Sequence, residues 1–286
     1  MRVPKSGRKV YGAKFMRDSL GPAFRANLQF SQRFVQTSIA WQGEQGQARM
    51  IPADWMHAPL PVKPKAKAGC EQWAAYHEQK KAACLSRVGL QRIAHLRQWL
   101  DHNNAQHRPL WSCVDGSYTN GTVLKNLPGN TILVGRIRAD AKLCHLPQEQ
   151  PTARGRKRVY GPQAPTPEQL RNDEGVPWQT VEVFFGGKIR TVRVKQLSPL
   201  RWRTAGQRHD LQLLVLAPTS YRLSKNSKLL YRKPAFLICT DPHADPVQVI
   251  QRYLWRWDIE VNFRDEKTLF GQIGRASCRE RVCHRV

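Results

Sequence analysis

Four side chains near the carboxyl end are spaced to act together. Tyr253, Arg256, Glu260 and Lys267 follow one another at intervals of three, four and seven residues. On a 3.6-residue helix this gathers them within an arc of about 60°. A carboxylate, two cations and a phenol on one face can act on one object. The plain alternative is a surface helix with Arg256 and Glu260 as an i,i+4 pair, worth roughly 0.2–0.5 kcal/mol. The adjoining arc of Val247, Ile250, Leu254, Trp257 and Val261 is apolar and would seat the helix on a core, with Trp257 expected inside it. Asp241 or Asp245 can cap this helix, with Pro246 in its first turn, and the pattern predicts an unbroken run through Lys267.

A second group is purely basic. Arg154, Arg156, Lys157 and Arg158 lie in a stretch from Pro147 to Gln179 rich in Pro, Gly, Gln and Arg, which reads as an exposed loop able to touch phosphate. The whole chain shares this bias: 47 Lys and Arg oppose 21 Asp and Glu for a net +26, spread from Arg2 to Arg285. A polyanionic partner is the natural consequence. Membrane attachment is not expected, because apolar runs such as Leu211–Ala217 are far too short to span a bilayer, and no signal peptide opens the chain. The seven cysteines are scattered without a CxxC pair, which speaks against a zinc site or a disulfide framework and for a reducing compartment.

The elements that must position these groups follow from periodicity. Arg33–Trp41 and Arg49–Met56 read as strands, then a Pro/Lys-rich link covers Pro59–Lys67. Glu71–Leu100 reads as one long helix with an apolar stripe at Leu85, Val88, Ile93, Leu96 and Leu100, leaving Lys80, Lys81 and Arg97 to solvent. Trp111–Val114 is a short buried strand ending at Asp115, a turn and helix run to Leu127, and Thr131–Ile137 is another strand, a β-α-β succession. Thr180–Phe185 and Lys188–Val194 alternate around Gly186-Gly187 as a tight hairpin. Further strands are expected at Leu211–Ala217 and Pro234–Thr240.

Against this background the spacing Tyr253-x2-Arg256-x3-Glu260-x6-Lys267, within RYLWRWDIEVNFRDEK, resembles the signature of the DDE-type insertion-sequence transposases of bacteria. The stretch SCVDGSYTNGTVLKNLP around Asp115 is similar to that family's second-aspartate motif, with Gly116 and Tyr118 as the small and aromatic neighbours. The resemblance implies an α/β fold, a ribonuclease-H-like mixed sheet with helices, interrupted by a β-rich insertion between Asp115 and Glu260. It implies that Asp115 and Glu260 are catalytic carboxylates that ligate Mg2+ (Mn2+ being possible), while Tyr253, Arg256 and Lys267 contact DNA and Trp255 is a further candidate for stacking on a base. Asp241 lies 19 residues before Glu260, and its expected role as a helix cap makes it the weaker partner. The implied partners are double-stranded transposon-end and target DNA and a second copy in a homodimeric synaptic complex, in a cytoplasmic, nucleoid-associated protein.

The expected organisation is a catalytic core over 1–146, a β-rich insertion with the basic loop over 147–233, the final strand and catalytic helix over 234–272, and a tail over 273–286. The stretch RVPKSGRKVYGAKFMRDSLGPAF near the start resembles the segment just after the family's first aspartate, which would then precede Met1; Asp18 and Asp54 are poor replacements. This chain alone is therefore expected to be inactive in strand transfer. Ile273–Val282, IGRASCRERV, resembles the conceptual translation of a sequencing adapter. Without the four arginines and one glutamate of that tail the net charge is still +23. Two rivals share these features: a non-catalytic basic nucleic-acid-binding protein and a metal-dependent DNA nuclease that does not transpose.

Overall fold

A computed structural model of the chain describes residues 2–5, 9–17, 27–43, 47–148, 158–206, 209–222, 224 and 227–269, the side chains of 4 and 264–269 excepted. The chain divides into two compact units, one drawn from Met1–Trp41, Arg49–Arg92 and Trp257–Val282, the other from Gln42–Ala48, Ile93–Arg256 and Cys283–Val286.

The first unit is a four-stranded antiparallel sheet built around one long strand. β1 (Arg2–Pro4) and β2 (Lys14–Arg17) pair with opposite edges of β3 (Leu28–Gln42), and β4 (Ala48–His57) also pairs with β3. The turn before β2 depends on Gly12, whose φ of +70° is left-handed and whose missing side chain leaves room for the His57 ring. Phe34 and Trp55 stack at 4.7 Å across β3 and β4, and Asp54 pairs with Arg92 at 3.3 Å, which gives that aspartate a structural role.

The long helix expected over Glu71–Leu100 is two helices, α1 (Cys70–Ala82) and α2 (Leu85–His102). The apolar stripe starts only at Leu85, and α1 buries none of its residues, so nothing holds the two segments to one axis. Arg33 donates from Nη2 to the Ala83 carbonyl at 2.6 Å and satisfies a carbonyl freed at the break. Leu85 and Val88 of α2 close a small core with Val35, Met56 and Ala58.

The second unit is a seven-stranded mixed sheet. β5 (Leu110–Val114) leads through a 3-10 turn (Gly116–Tyr118) and α3 (Gly121–Leu124) to β6 (Thr131–Arg136), which lies parallel to β5 with Val114 opposite Gly135. The remaining strands are β7 (Leu143–His145), β8 (Gln179–Phe185), β9 (Lys188–Trp202), β10 (Leu211–Leu216) and β13 (Ala235–Cys239), all in antiparallel pairs. The order is β5-β6-β13-β10-β9-β7, with β8 on β9. A separate hairpin joins β11 (Ser220–Tyr221) to β12 (Leu230–Tyr231). The expected β8–β9 hairpin is present: Gly186 and Gly187 take φ of 63° and 77°, the two left-handed positions that a tight two-residue turn needs. Strands from 179–216 thus enter the same sheet as β5 and β6.

Two features of this unit escape the periodicity. α4 (Pro167–Asn172) lies in the stretch expected as loop; Thr166 and Gln169 form a capping box around Pro167. The ammonium of Lys195, almost fully buried, donates to the carbonyls of Leu170, Arg171 and Asp173 and closes that helix. Arg97, expected in solvent, is only 4% exposed. It donates to the carbonyls of Arg108 (2.7 Å), Ala105 (3.0 Å) and Asn130 (3.3 Å) and pairs with Asp101 at 2.8 Å. Those carbonyls lie where the chain enters β5 and β6, so a buried guanidinium fixes the start of both strands.

The last helical stretch is divided. α5 (Pro246–Trp255) is capped by Asp245, which accepts from Val247 and Gln248. Asp241 instead accepts from the His243 amide. The helix stops at Trp255, and α6 (Asp258–Leu269) starts in the first unit. Val249, Ile250 and Tyr253 of α5 are buried, whereas Trp257 and Val261 are 44% and 41% exposed. The expected seat for Trp257 is thereby corrected: the apolar stripe anchors α5 alone. The chain is mixed α/β, and among the described residues no helix is long and apolar enough to cross a membrane.

Candidate functional site

The parallel pair β5–β6 delivers its carboxyl ends side by side, and Asp115 follows directly on β5. Its carboxylate is exposed, and Ser117 Oγ approaches Oδ2 at 3.5 Å. The turn that carries it is held close to β6. A Cβ on Gly135 would collide with Thr119 Oγ1, and one on Gly116 would stand 3.4 Å from the Arg136 carbonyl. Glycine at 135 therefore lets the Asp115 turn fold down on the strand beside it. The same proximity puts Arg136, exposed at the end of β6, next to this turn.

α5 brings two further groups to this place. Its attachment to the sheet is explicit: the Gln251 side chain accepts from Phe184 N at 2.7 Å and donates to Phe184 O at 3.0 Å, locking it to β8. Arg252 lies over the Trp111 ring of β5 at 3.9 Å. One residue further, Tyr253 is buried, and burial pushes its phenol above the ordinary range. Arg256, which also donates a hydrogen bond to the phenol, and Arg136 oppose that shift, whereas Asp115 adds to it. Asp115, Arg136 and Arg256 thus all lie close enough to act on the Tyr253 phenol at one end of the sheet. Beneath them Cys113 and Cys239 hold thiols that burial pushes up to about 12, which makes them inert packing rather than nucleophiles.

Of the residues singled out in the sequence, the second unit brings together Asp115, Tyr253 and Arg256. Glu260 is exposed in the first turn of α6, its amide bonded to the Trp257 carbonyl at 3.0 Å. It does not share a continuous helix with Tyr253 and Arg256, because the helix is interrupted at residues 256 and 257. Arg158 is exposed. Arg154, Arg156, Lys157 and Asp18, together with the 273–286 tail, lie outside the described residues, as does the side chain of Lys267. Arg136 and Arg252 were not anticipated. Arg136 was within reach of sequence reasoning: once Trp111–Val114 and Thr131–Ile137 are taken as parallel neighbours, the residue ending the second strand must stand beside Asp115.

The donor chemistry suits a hard cation. An exposed carboxylate with a hydroxyl beside it offers oxygen ligands, and Mg2+ is held by one or two carboxylates with water completing its shell. Among the described residues no three His, Cys, Asp or Glu side chains gather where they could hold a metal ion together. Compared with known proteins, the chain matches no family model and no curated protein.

Proposed function

We infer that this chain is a fragment of a DDE-type transposase that binds transposon-end DNA without itself completing strand transfer, with a ribonuclease-H-like core in which Asp115 and Glu260 are metal ligands. The observation that carries the reading is the exposed Asp115 at the end of a parallel strand pair, with Arg136, Arg256 and Tyr253 around it. Such a place joins an anionic metal ligand to cations that pair with phosphate. Mg2+ or Mn2+, when bound, supplies stabilisation of the charge that develops on the attacking and leaving oxygens of a phosphodiester. Asp115 would hold that ion. Arg136 and Arg256 would grip phosphates on the strand beside it, and Tyr253, kept protonated by burial, orients Arg256 through its hydrogen bond. Lys267 and the 154–158 cluster are assigned to the DNA backbone. The partners are transposon ends and target DNA, bound by a homodimer in the bacterial nucleoid.

Binding of labelled duplex DNA with and without Mg2+ tests this. Asp115→Asn and Glu260→Gln are each expected to remove the Mg2+-dependent part of binding, while Arg256→Gln weakens binding in both conditions. Persistence of the full Mg2+ effect in both carboxylate variants contradicts the reading. The chain itself is expected to form no strand-transfer products, and efficient Mg2+-dependent cleavage of end DNA by it contradicts that expectation; in an intact relative, joined products as opposed to nicks alone separate a transposase from a related nuclease. The break after Trp255 favours one rival, a non-catalytic DNA-binding protein in which Glu260 is an ordinary surface residue; in that case Glu260→Gln leaves every readout unchanged.

A further inference from the structure

A second basic place lies away from Asp115, at the tip of the β8–β9 hairpin and against β11–β12. Here Phe185, Lys188 and Arg190 face Tyr221, Arg222 and Arg232 across a cavity of about 540 Å3. The Arg232 guanidinium stands 5.2 Å from the Phe185 ring centre and 5.4 Å from that of Tyr221, bridging the two hairpins. Arg190 stands 5.9 Å from the Phe185 ring and donates to the Phe185 carbonyl. Arg222 donates to the Ser227 carbonyl. Among the described residues no carboxylate lines the cavity or pairs with any of these four cations.

Four cations with no counter-charge among the described residues call for an anion, and two rings bridged by a guanidinium offer flat surfaces to a planar group. A ligand that is polyanionic and carries exposed π-faces satisfies both. Nucleic acid does so only when its bases are unpaired, because in a duplex they are stacked on each other. Size agrees: a cavity of this volume accepts one or two nucleotides, and a duplex does not enter it. We propose that this cleft binds a segment of single-stranded DNA, with a base against the Phe185–Arg232–Tyr221 layer and backbone phosphates at Lys188, Arg190 and Arg222. Stacking on aromatic and guanidinium surfaces within a basic groove is the chemistry of sequence-tolerant single-strand binding. The proposal rests on the reading above only in taking the nucleic acid to be DNA.

The test uses the full chain without divalent metal, so that it is independent of Asp115 and Glu260. Fluorescence anisotropy is read with a labelled oligo-dT strand and with a labelled duplex of the same length. Tyr221→Ala and Arg232→Gln are each expected to weaken oligo-dT binding by about fivefold or more, the factor matching the ~1 kcal/mol lower end of base stacking on an aromatic ring. Duplex binding should change less than twofold. Lys188→Gln with Arg222→Gln, both at exposed positions, provides a variant that does not touch the rings; it should flatten the salt dependence of oligo-dT binding. Equal losses for single strand and duplex, or no loss for either, overturn the proposal. Loss of the Mg2+ effect in Asp115→Asn with an intact oligo-dT preference would uphold the first reading and this one separately.

Discussion

Single residues set the site through their ionic partners. Arg97 is the strongest case, since one buried guanidinium closes four acceptors at the base of β5 and β6. Replacing it by Met removes the charge-assisted bonds that tie these carbonyls and Asp101 together, and Arg97→Met should lower the stability of the chain by roughly 3 kcal/mol in denaturant titrations. Asp258 acts in the opposite sense. Burial raises its carboxyl above the usual range, so the folded chain holds that proton more tightly than the unfolded one. Its contribution to stability is present below the unfolded pKa and is lost as pH rises through the folded pKa. Asp258→Asn should therefore raise Tm at neutral pH and leave it unchanged at low pH. Cys113 and Cys239, with thiols pushed to about 12, should resist labelling at pH 8 while the exposed Cys70 and Cys84 react; peptide mapping reads the difference.

Elements differ in how well the sequence announces them. The β8–β9 hairpin was legible because alternation on both sides of Gly186-Gly187 admits one register, and the β5–β6 pair was legible because short apolar runs flank a helix. The breaks in the two long helical stretches were not. The segments around Ala83 and around Arg256 contain no proline or glycine at the break, so no local stop signal marks either one. Arg97 was misjudged for a related reason, since nothing local tells a cation that turns of the chain will close over it. α4 could have been found from Thr166-Pro167 followed by Gln169, a helix-start signal hidden in a Pro-rich stretch. The Asp115 turn depends on an absent side chain. Gly135→Ala would thrust a methyl group into Thr119, costing about 1–3 kcal/mol. It should also weaken Mn2+ binding by displacing Asp115, a result that calorimetric titration of this variant would show.

For the whole molecule, charge dominates. With a net +26, the proposed DNA binding would be driven largely by release of counterions from phosphate. Raising salt from about 50 to 200 mM should weaken duplex binding by about a hundredfold or more. That behaviour alone would suit any basic DNA-binding protein, so the decisive claim is narrower: Asp115 and Glu260 are both metal ligands. Mn2+ titration followed by electron paramagnetic resonance, on the wild-type chain and on Asp115→Asn and Glu260→Gln, tests it most directly. The account predicts that each substitution weakens Mn2+ binding by about tenfold or more. Undiminished Mn2+ binding in either variant would contradict it.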